Sequence, residues 1–257
     1  MKNVFVAPTG YQETDLNPFT SDGSYDRSWS VFIVDPSVQG MLFQRKSPFG
    51  CYVMAVTPTY AHFQDLMSDI LHYETAHGRK VIFVGDQSLL NGLRPIPQTL
   101  IRPYDSPYMV HSTLLSSYEQ IKKDGFLKSL SLLTQEGLAV HPIGLAPLGE
   151  PVDYLDYVMF ADGGLAPEIV VNSRLRGSPY YSINEPYQPQ ARMYFDAHKM
   201  TRDGIVTRNV CRMVLDSVSL ERYLIRTVTA ADLQLAEGQS FWTPLTFTQA
   251  ADKLMGL

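Results

Sequence analysis

Cysteine is scarce in this chain, with two in 257 residues. Cys51 and Cys211 are too few for a disulfide framework and lack the paired spacing of a zinc site, so both read as buried small hydrophobes. Long apolar runs are missing too. None approaches the roughly 18 residues a membrane helix needs, which excludes a transmembrane span and sets the expectation of no membrane partner. Met1-Lys-Asn-Val-Phe-Val-Ala-Pro8 has one basic residue and too short an apolar stretch for a secretory signal; it reads as a first strand, and the expected location is cytoplasmic. Excess positive charge is also lacking, since a net charge of -5 gives no global attraction for nucleic acid. The glycine motifs of nucleotide enzymes do not occur: there is no Gly-x-x-x-x-Gly-Lys-Ser/Thr loop, no Gly-x-Gly-x-x-Gly after a strand and no Gly-x-Ser-x-Gly elbow. Metal chemistry has no support either. His72 and His77 lie five apart on one predicted helix, roughly 140° around its axis from each other, and no His-Glu-x-x-His or acidic calcium loop is found.

What is present is an ordinary globular composition, 45% hydrophobic and 18% charged, in a length suited to two modest domains. The first hundred residues alternate strand and helix signals. Val4 to Val6, Val31 to Val34 and Cys51 to Val56 are β-branched and aromatic runs, the last two stopped by Asp35-Pro36 and Thr57-Pro58. Tyr60, Phe63, Met67, Ile70 and Leu71 recur at helical spacing, with Thr59 as candidate cap and Gly78 beyond the end. Arg79 to Val84 reads as a buried strand, and the strand, helix, strand order implies a crossover within an α/β layer. Leu89 to Pro107 is loop-like, which places a domain boundary near residue 104.

Residues 105–257 then read as a second domain. A strand at Tyr108 to Val110 ends in the polar triplet His111-Ser112-Thr113 and runs into a helix, Leu114 to Lys123, closed by Asp124-Gly125. An apolar, helix-like stretch follows at Leu127 to Leu133, then a Pro/Gly-rich connection from His141 to Pro151. Strands are expected at Tyr154 to Phe160 and Glu168 to Val171 around a Gly163-Gly164 turn, and at Met193 to Asp196, Arg212 to Leu215 and Tyr223 to Val228, with a helix at Thr248 to Met255. His198 stands two residues beyond Asp196, so on a strand the two would share a face and His198 could act as an acid or phosphate ligand; a surface histidine beside Lys199 is the plainer alternative. From Arg192 to Arg226 the chain carries seven Lys or Arg against four acids, and from His141 to Gln190 two against six. An anionic ligand would be met by the C-terminal third, unless the run is simply a solvated face.

Three segments in order carry a resemblance: Tyr108 to Gly125, Asp156-Tyr-Val-Met-Phe160, and Arg192 to Leu224 with its Asp196, basic Met200 turn, Asp203-Gly204 and Met213-Val-Leu215 strand. They resemble the RNA 2′-phosphotransferases and the DarT-type nucleic-acid ADP-ribosyltransferases over residues 105–235. The resemblance implies an ADP-ribosyltransferase-like split β-sheet domain at 105–257; with the N-terminal α/β domain at 1–104, which it leaves unexplained and whose role is unknown, the expected fold class is α+β. It implies NAD as cofactor and RNA or DNA as acceptor, in ADP-ribosyl transfer or NAD-dependent removal of an RNA 2′-phosphate. His111 and Thr113 would hold the nicotinamide-side ribose and amide, Ser112 would offer its backbone, Tyr157 and Phe160 would give ring surface, and Arg174 and Arg176 would meet the pyrophosphate. Core residues and solvated loop arginines are the alternatives at these positions. The family's final-strand carboxylate falls on Arg212, a cation suited to a substrate phosphate; Glu168 and Glu221 are fallback carboxylates. A catalytically inactive nucleotide-binding or regulatory module that keeps the fold is the alternative function.

Overall fold

The computed structural model describes residues 2–12, 14–38, 41–138, 142–143 and 148–257. It is a mixed α+β chain with seven α-helices among the described residues. The chain divides into two compact units, the first made of Met1–Pro97, Gly144–Tyr154 and Arg208–Val210 and the second of the remainder. The main segment of the first unit ends at Pro97, and two short segments from the C-terminal part return to it. Of the connection from His141 to Pro151, residues 141 and 144–147 lie outside the described residues, as do 139 and 140 before it.

The first unit is built on β1 (Val4–Ala7), β2 (Trp29–Val34), β3 (Leu42–Arg45), β4 (Tyr52–Val56) and β5 (Lys80–Val84), in the order β1-β5-β2-β4-β3. All pairings are parallel except that of β3 with β4. Parallel strands need both faces covered, which explains why β2, β4 and β5 are near-continuous apolar runs rather than alternating ones. Alternation is clearest on the face formed by Val31, Ile33, Val53, Ile82 and Val84, packed with Tyr11 and Trp29. Helix α1 (Phe63–Ala76) crosses from β4 to β5; its N-cap is His62, not Thr59, whose hydroxyl is instead within 2.9 Å of the Thr57 hydroxyl. β3 had no apolar signature in the sequence because Gln44 and Arg45 interrupt it.

Glu74, on α1 and fully buried, fastens the two returning segments to this unit. Its carboxylate accepts hydrogen bonds from the Ser30 hydroxyl at 2.8 Å, the Tyr154 hydroxyl at 2.7 Å and the Asn209 amide at 3.0 Å, and it pairs with Arg79. Arg79 also reaches Asp153 at 2.7 Å. These donors satisfy a buried polar group that would otherwise be costly to remove from water.

The second unit contains β6 (Tyr108–Thr113), α2 (Leu115–Asp124), β7 (Phe126–Lys128), α3 (Leu130–Gln135), β8 (Tyr157–Phe160) and α4 (Ala166–Arg176), followed by β9 (Ala191–Asp196), α5 (Ala197–Arg202), β10 (Val206–Arg208), whose last residue falls in the first unit, and β11 (Arg212–Leu215). It ends with β12 (Ser217–Ser219), α6 (Leu220–Tyr223), β13 (Leu224–Val228) and α7 (Pro244–Met255). One three-stranded sheet runs β13-β9-β6 and another β10-β11-β8; β12 pairs with β7. An antiparallel bridge between Val110 and Ala161 links these two three-stranded sheets.

Several expectations change. Glu168 to Val171 is helix, not strand: α4 has Pro167 in its first turn and Gly177 in the left-handed region at φ 71° beyond its end, signals that outrank a β-branched run. Leu127 to Leu133 is a short strand and then a helix capped by Ser129. The polar triplet 111–113 does not stand at a corner after β6 but lies within it, paired along its length with β9. Asp196 ends β9 and caps α5 by accepting from the Lys199 backbone N–H at 2.8 Å. His198 is therefore in the first turn of a helix and shares no strand face with Asp196.

Candidate functional site

Strand β6 distributes the expected site residues between its two faces. Met109, His111 and Thr113 project to one side and Tyr108, Val110 and Ser112 to the other. The first side is apolar: Met109 packs with Phe160, Met193 and Phe195, under Tyr118 and Ile121 of α2. Its rim holds His111, half-buried, with its ring 5.9 Å from that of Phe160. Thr113 lies two residues further along that face, buried opposite Ala191.

His111 Nδ1 lies 3.0 Å from the Met159 carbonyl. A carbonyl can only accept, so the ring proton of the neutral form sits on Nδ1 and leaves Nε2 as an acceptor. Burial, and secondarily the charge of Arg174, lower the imidazole to about 4 against the support of the Met159 bond. His111 is neutral at physiological pH.

Arg174, in the last turn of α4, has burial as the sole cause of its shift, which lowers its guanidinium below the ordinary arginine range. Its buried Nε has no hydrogen-bond partner, and no carboxylate pairs with it among the described residues. Two residues on, Arg176 is different: its guanidinium stacks 3.8 Å over the Tyr180 ring and meets Glu185 at 3.4 Å. Arg176 is thus tied down at the surface.

The opposite face of β6 is an ion network. Ser112 donates to Glu168, as does Tyr187. Arg192, with no exposed surface, meets Glu168 at 3.2 Å, Asp252 at 2.7 Å, the Gly164 carbonyl at 3.0 Å and the Tyr194 hydroxyl at 2.7 Å. Burial and then Glu168 push the Tyr187 phenol well up. With these donors satisfied and Glu168 and Arg192 fully buried, Ser112 and Glu168 hold α4 and α7 to the sheet and do not face a ligand. The Gly163-Gly164 turn serves the same network, the Gly164 N–H donating to Asp252 at 3.0 Å.

Arg212 is the largest departure from the sequence reading. It pairs with Asp162 at 2.8 Å and Asp105 at 3.2 Å and is 5% exposed. Two carboxylates neutralise the cation that was expected to meet a substrate phosphate. It lies opposite Phe160 in the β11–β8 ladder, and the Val110–Ala161 bridge sets Phe160 beside His111. His111 and Arg212 consequently share one side of the strands, two strand spacings or roughly 10 Å apart, with the buried Phe160 ring between them. His198 is half-buried with Nε2 3.4 Å from the Asp105 carbonyl, Tyr157 is half-buried opposite Leu215 on the other side of β8 from Phe160, and Glu221 sits in the first turn of α6. The structure therefore puts Arg174 within electrostatic reach of His111, sets Arg212 on the same side beyond the Phe160 ring, and turns Ser112 and Tyr157 to the opposite faces of their strands.

Asp105 and Asp162 escaped the sequence reading. Asp162 is two residues past the β8 run and Asp105 three before β6, so the positions of both follow from strand ends whose pairing no local pattern announces. No group of three or more His, Cys, Asp or Glu suited to a metal occurs among the described residues, and no described helix is long and apolar enough to cross a membrane. Comparison with protein-family models, curated proteins and solved structures found no match.

Proposed function

We infer that the second unit binds a phosphate-bearing nucleotide, with Arg174 meeting phosphate and the neutral His111 accepting a hydroxyl at Nε2. The observation that carries this reading is the unpartnered guanidinium of Arg174: leaving it unpaired in a half-buried position is costly, and an anion would supply the missing acceptors. The sequence resemblance supports NAD as that nucleotide. Binding without turnover is the form the geometry favours, because Arg212 is held between two aspartates and Phe160 fills the space toward His111.

Transfer from NAD to RNA or DNA, or onto an RNA 2′-phosphate, is the second reading. Asp162 favours it: its side chain is 46% exposed at the end of β8, and it could supply beside Arg212 the carboxylate that position 212 lacks. Such a group stabilises positive charge at the ribose carbon as nicotinamide departs.

Calorimetric titration of the full chain with NAD and ADP-ribose tests the first reading. Saturable binding that weakens at least tenfold in Arg174→Met is expected; no binding by either ligand, or binding indifferent to that substitution, overturns it. Nicotinamide release in the presence of RNA and DNA oligonucleotides, lost in Asp162→Asn, would establish turnover.

A further inference from the structure

The first unit holds a pocket of its own, of about 220 Å³, at the carboxyl ends of the adjacent parallel strands β1, β5 and β2. That edge of a parallel sheet is where ligands settle, because the loops leaving the strands diverge around it. Ile33, Val34 and Val84 give apolar walls, and Tyr11, in the turn after β1, adds an aromatic one. The close meeting of β2 and β5 at its base requires glycine: a Cβ at Gly85 would stand 2.9 Å from Val34 Cγ2.

Two charged groups face this space. Asp35, at the end of β2, accepts from the Ser37 backbone N–H at 2.8 Å and the Ser37 hydroxyl at 2.6 Å, both on Oδ1, and pairs through Oδ2 with Arg45 of β3. The bonds from Ser37 hold its carboxyl below the usual carboxylate range, so it is an acceptor at any physiological pH. A carboxylate offers about four lone-pair sites, and the interactions with Ser37 and Arg45 leave one for a further donor. Arg45 reaches Asp35 through Nη2, and its side chain stays 22% exposed.

The charges cancel, so the pocket as a whole selects neither anion nor cation. What an adjacent fixed acceptor and donor fork do match is a pair of neighbouring hydroxyls, one donating to Asp35 and one accepting from Arg45, with the carbon frame against Tyr11 and the valines. Size narrows the class further. Pockets for drug-sized ligands run to about 300–1,000 Å³, so this one suits a monosaccharide or the sugar of a nucleoside and is too small for a dinucleotide.

We propose that the first unit binds a neutral polyol of monosaccharide size, presenting a vicinal diol to Asp35 and Arg45. This site is independent of Arg174, and its ligand needs no phosphate.

The test uses the full chain and ligand-observed NMR or calorimetry with ribose, xylose, glucose, adenosine and their 2-deoxy counterparts, with glycine and glutamate as zwitterionic controls. Saturable binding of at least one diol is expected, weakened tenfold or more by removal of the 2-hydroxyl and by Asp35→Asn. Gly10→Leu supplies a variant that leaves the ion pair alone: Gly10 lines the pocket outside the left-handed region and has nothing within 4 Å of an added Cβ. It should abolish binding with the melting temperature unchanged within about two degrees, whereas Arg174→Met should leave binding as it was. The proposal is overturned if no sugar or nucleoside binds, if deoxy analogues bind equally well, if the amino acids bind better, or if Gly10→Leu retains binding.

Discussion

The two ends of α4 put charged groups in opposite situations. At its start Glu168 is fully buried and meets Ser112, Tyr187 and Arg192, each donor and acceptor answered. At its end Arg174 is half-buried with an unanswered Nε, and its charge reaches the neutral imidazole of His111. The difference separates architecture from availability: a closed set of ion pairs is spent on holding elements together, while an open donor in a low-dielectric setting is left for something that arrives. Chemical type does not tell them apart. Both ends carry groups of the kind enzymes use, and only the census of partners distinguishes them.

Breaking the closed end should produce the largest effect. Glu168→Gln leaves Arg192 with one carboxylate in place of two, and a loss of about 3 kcal/mol in chemical denaturation is expected; a loss under about 1 kcal/mol would show that the network does not hold α4. The pH dependence of the open end comes next. His111 is lowered from 6.5 to about 4, so the unfolded state binds the extra proton between those values. Its contribution to stability is present above pH 6.5 and falls as pH drops toward 4, by about 1–2 kcal/mol for a half-buried ring. His111→Gln should flatten that part of the stability-against-pH curve relative to the parent. Identical curves would contradict a neutral buried imidazole. A smaller loss is expected where α2 ends: Gly125 has φ 74° with open space around an added Cβ, so Gly125→Ala costs only backbone strain, about 1 kcal/mol in a thermal melt. The smallest change sharpens the comparison most. Arg174→Met should alter stability by no more than about 0.5 kcal/mol, or raise it, since a cation without a partner contributes nothing to the fold; a loss above 2 kcal/mol would reveal a partner and close the site.

The alternating α/β pattern of the first unit was legible because parallel strands are apolar on both faces and stand out as runs, as Val31 to Val34 and Arg79 to Val84 do. Edge strand β3 was not, since one exposed face and two polar residues erase the signal. In the second unit the β-branched Ile169-Val-Val171 misled, although Pro167 and Gly177 framed a helix. His111 and Arg174 could be picked out by residue type. That Arg212 would be neutralised by Asp105 and Asp162 could not, because those ion pairs depend on how β6, β8 and β11 lie side by side, which is a long-range property. The same holds for Glu74, whose donors Tyr154 and Asn209 come from far along the chain.

That last cluster has a consequence for synthesis. Glu74 and Asn209 are 135 residues apart, and a ribosome adding about 5–20 residues per second takes on the order of ten seconds to travel between them. For that interval the helix bearing Glu74 exists without the amide that completes its cage, and a fragment stopped at residue 104 never obtains it. The N-terminal sheet is translated well before the last of its partners arrives.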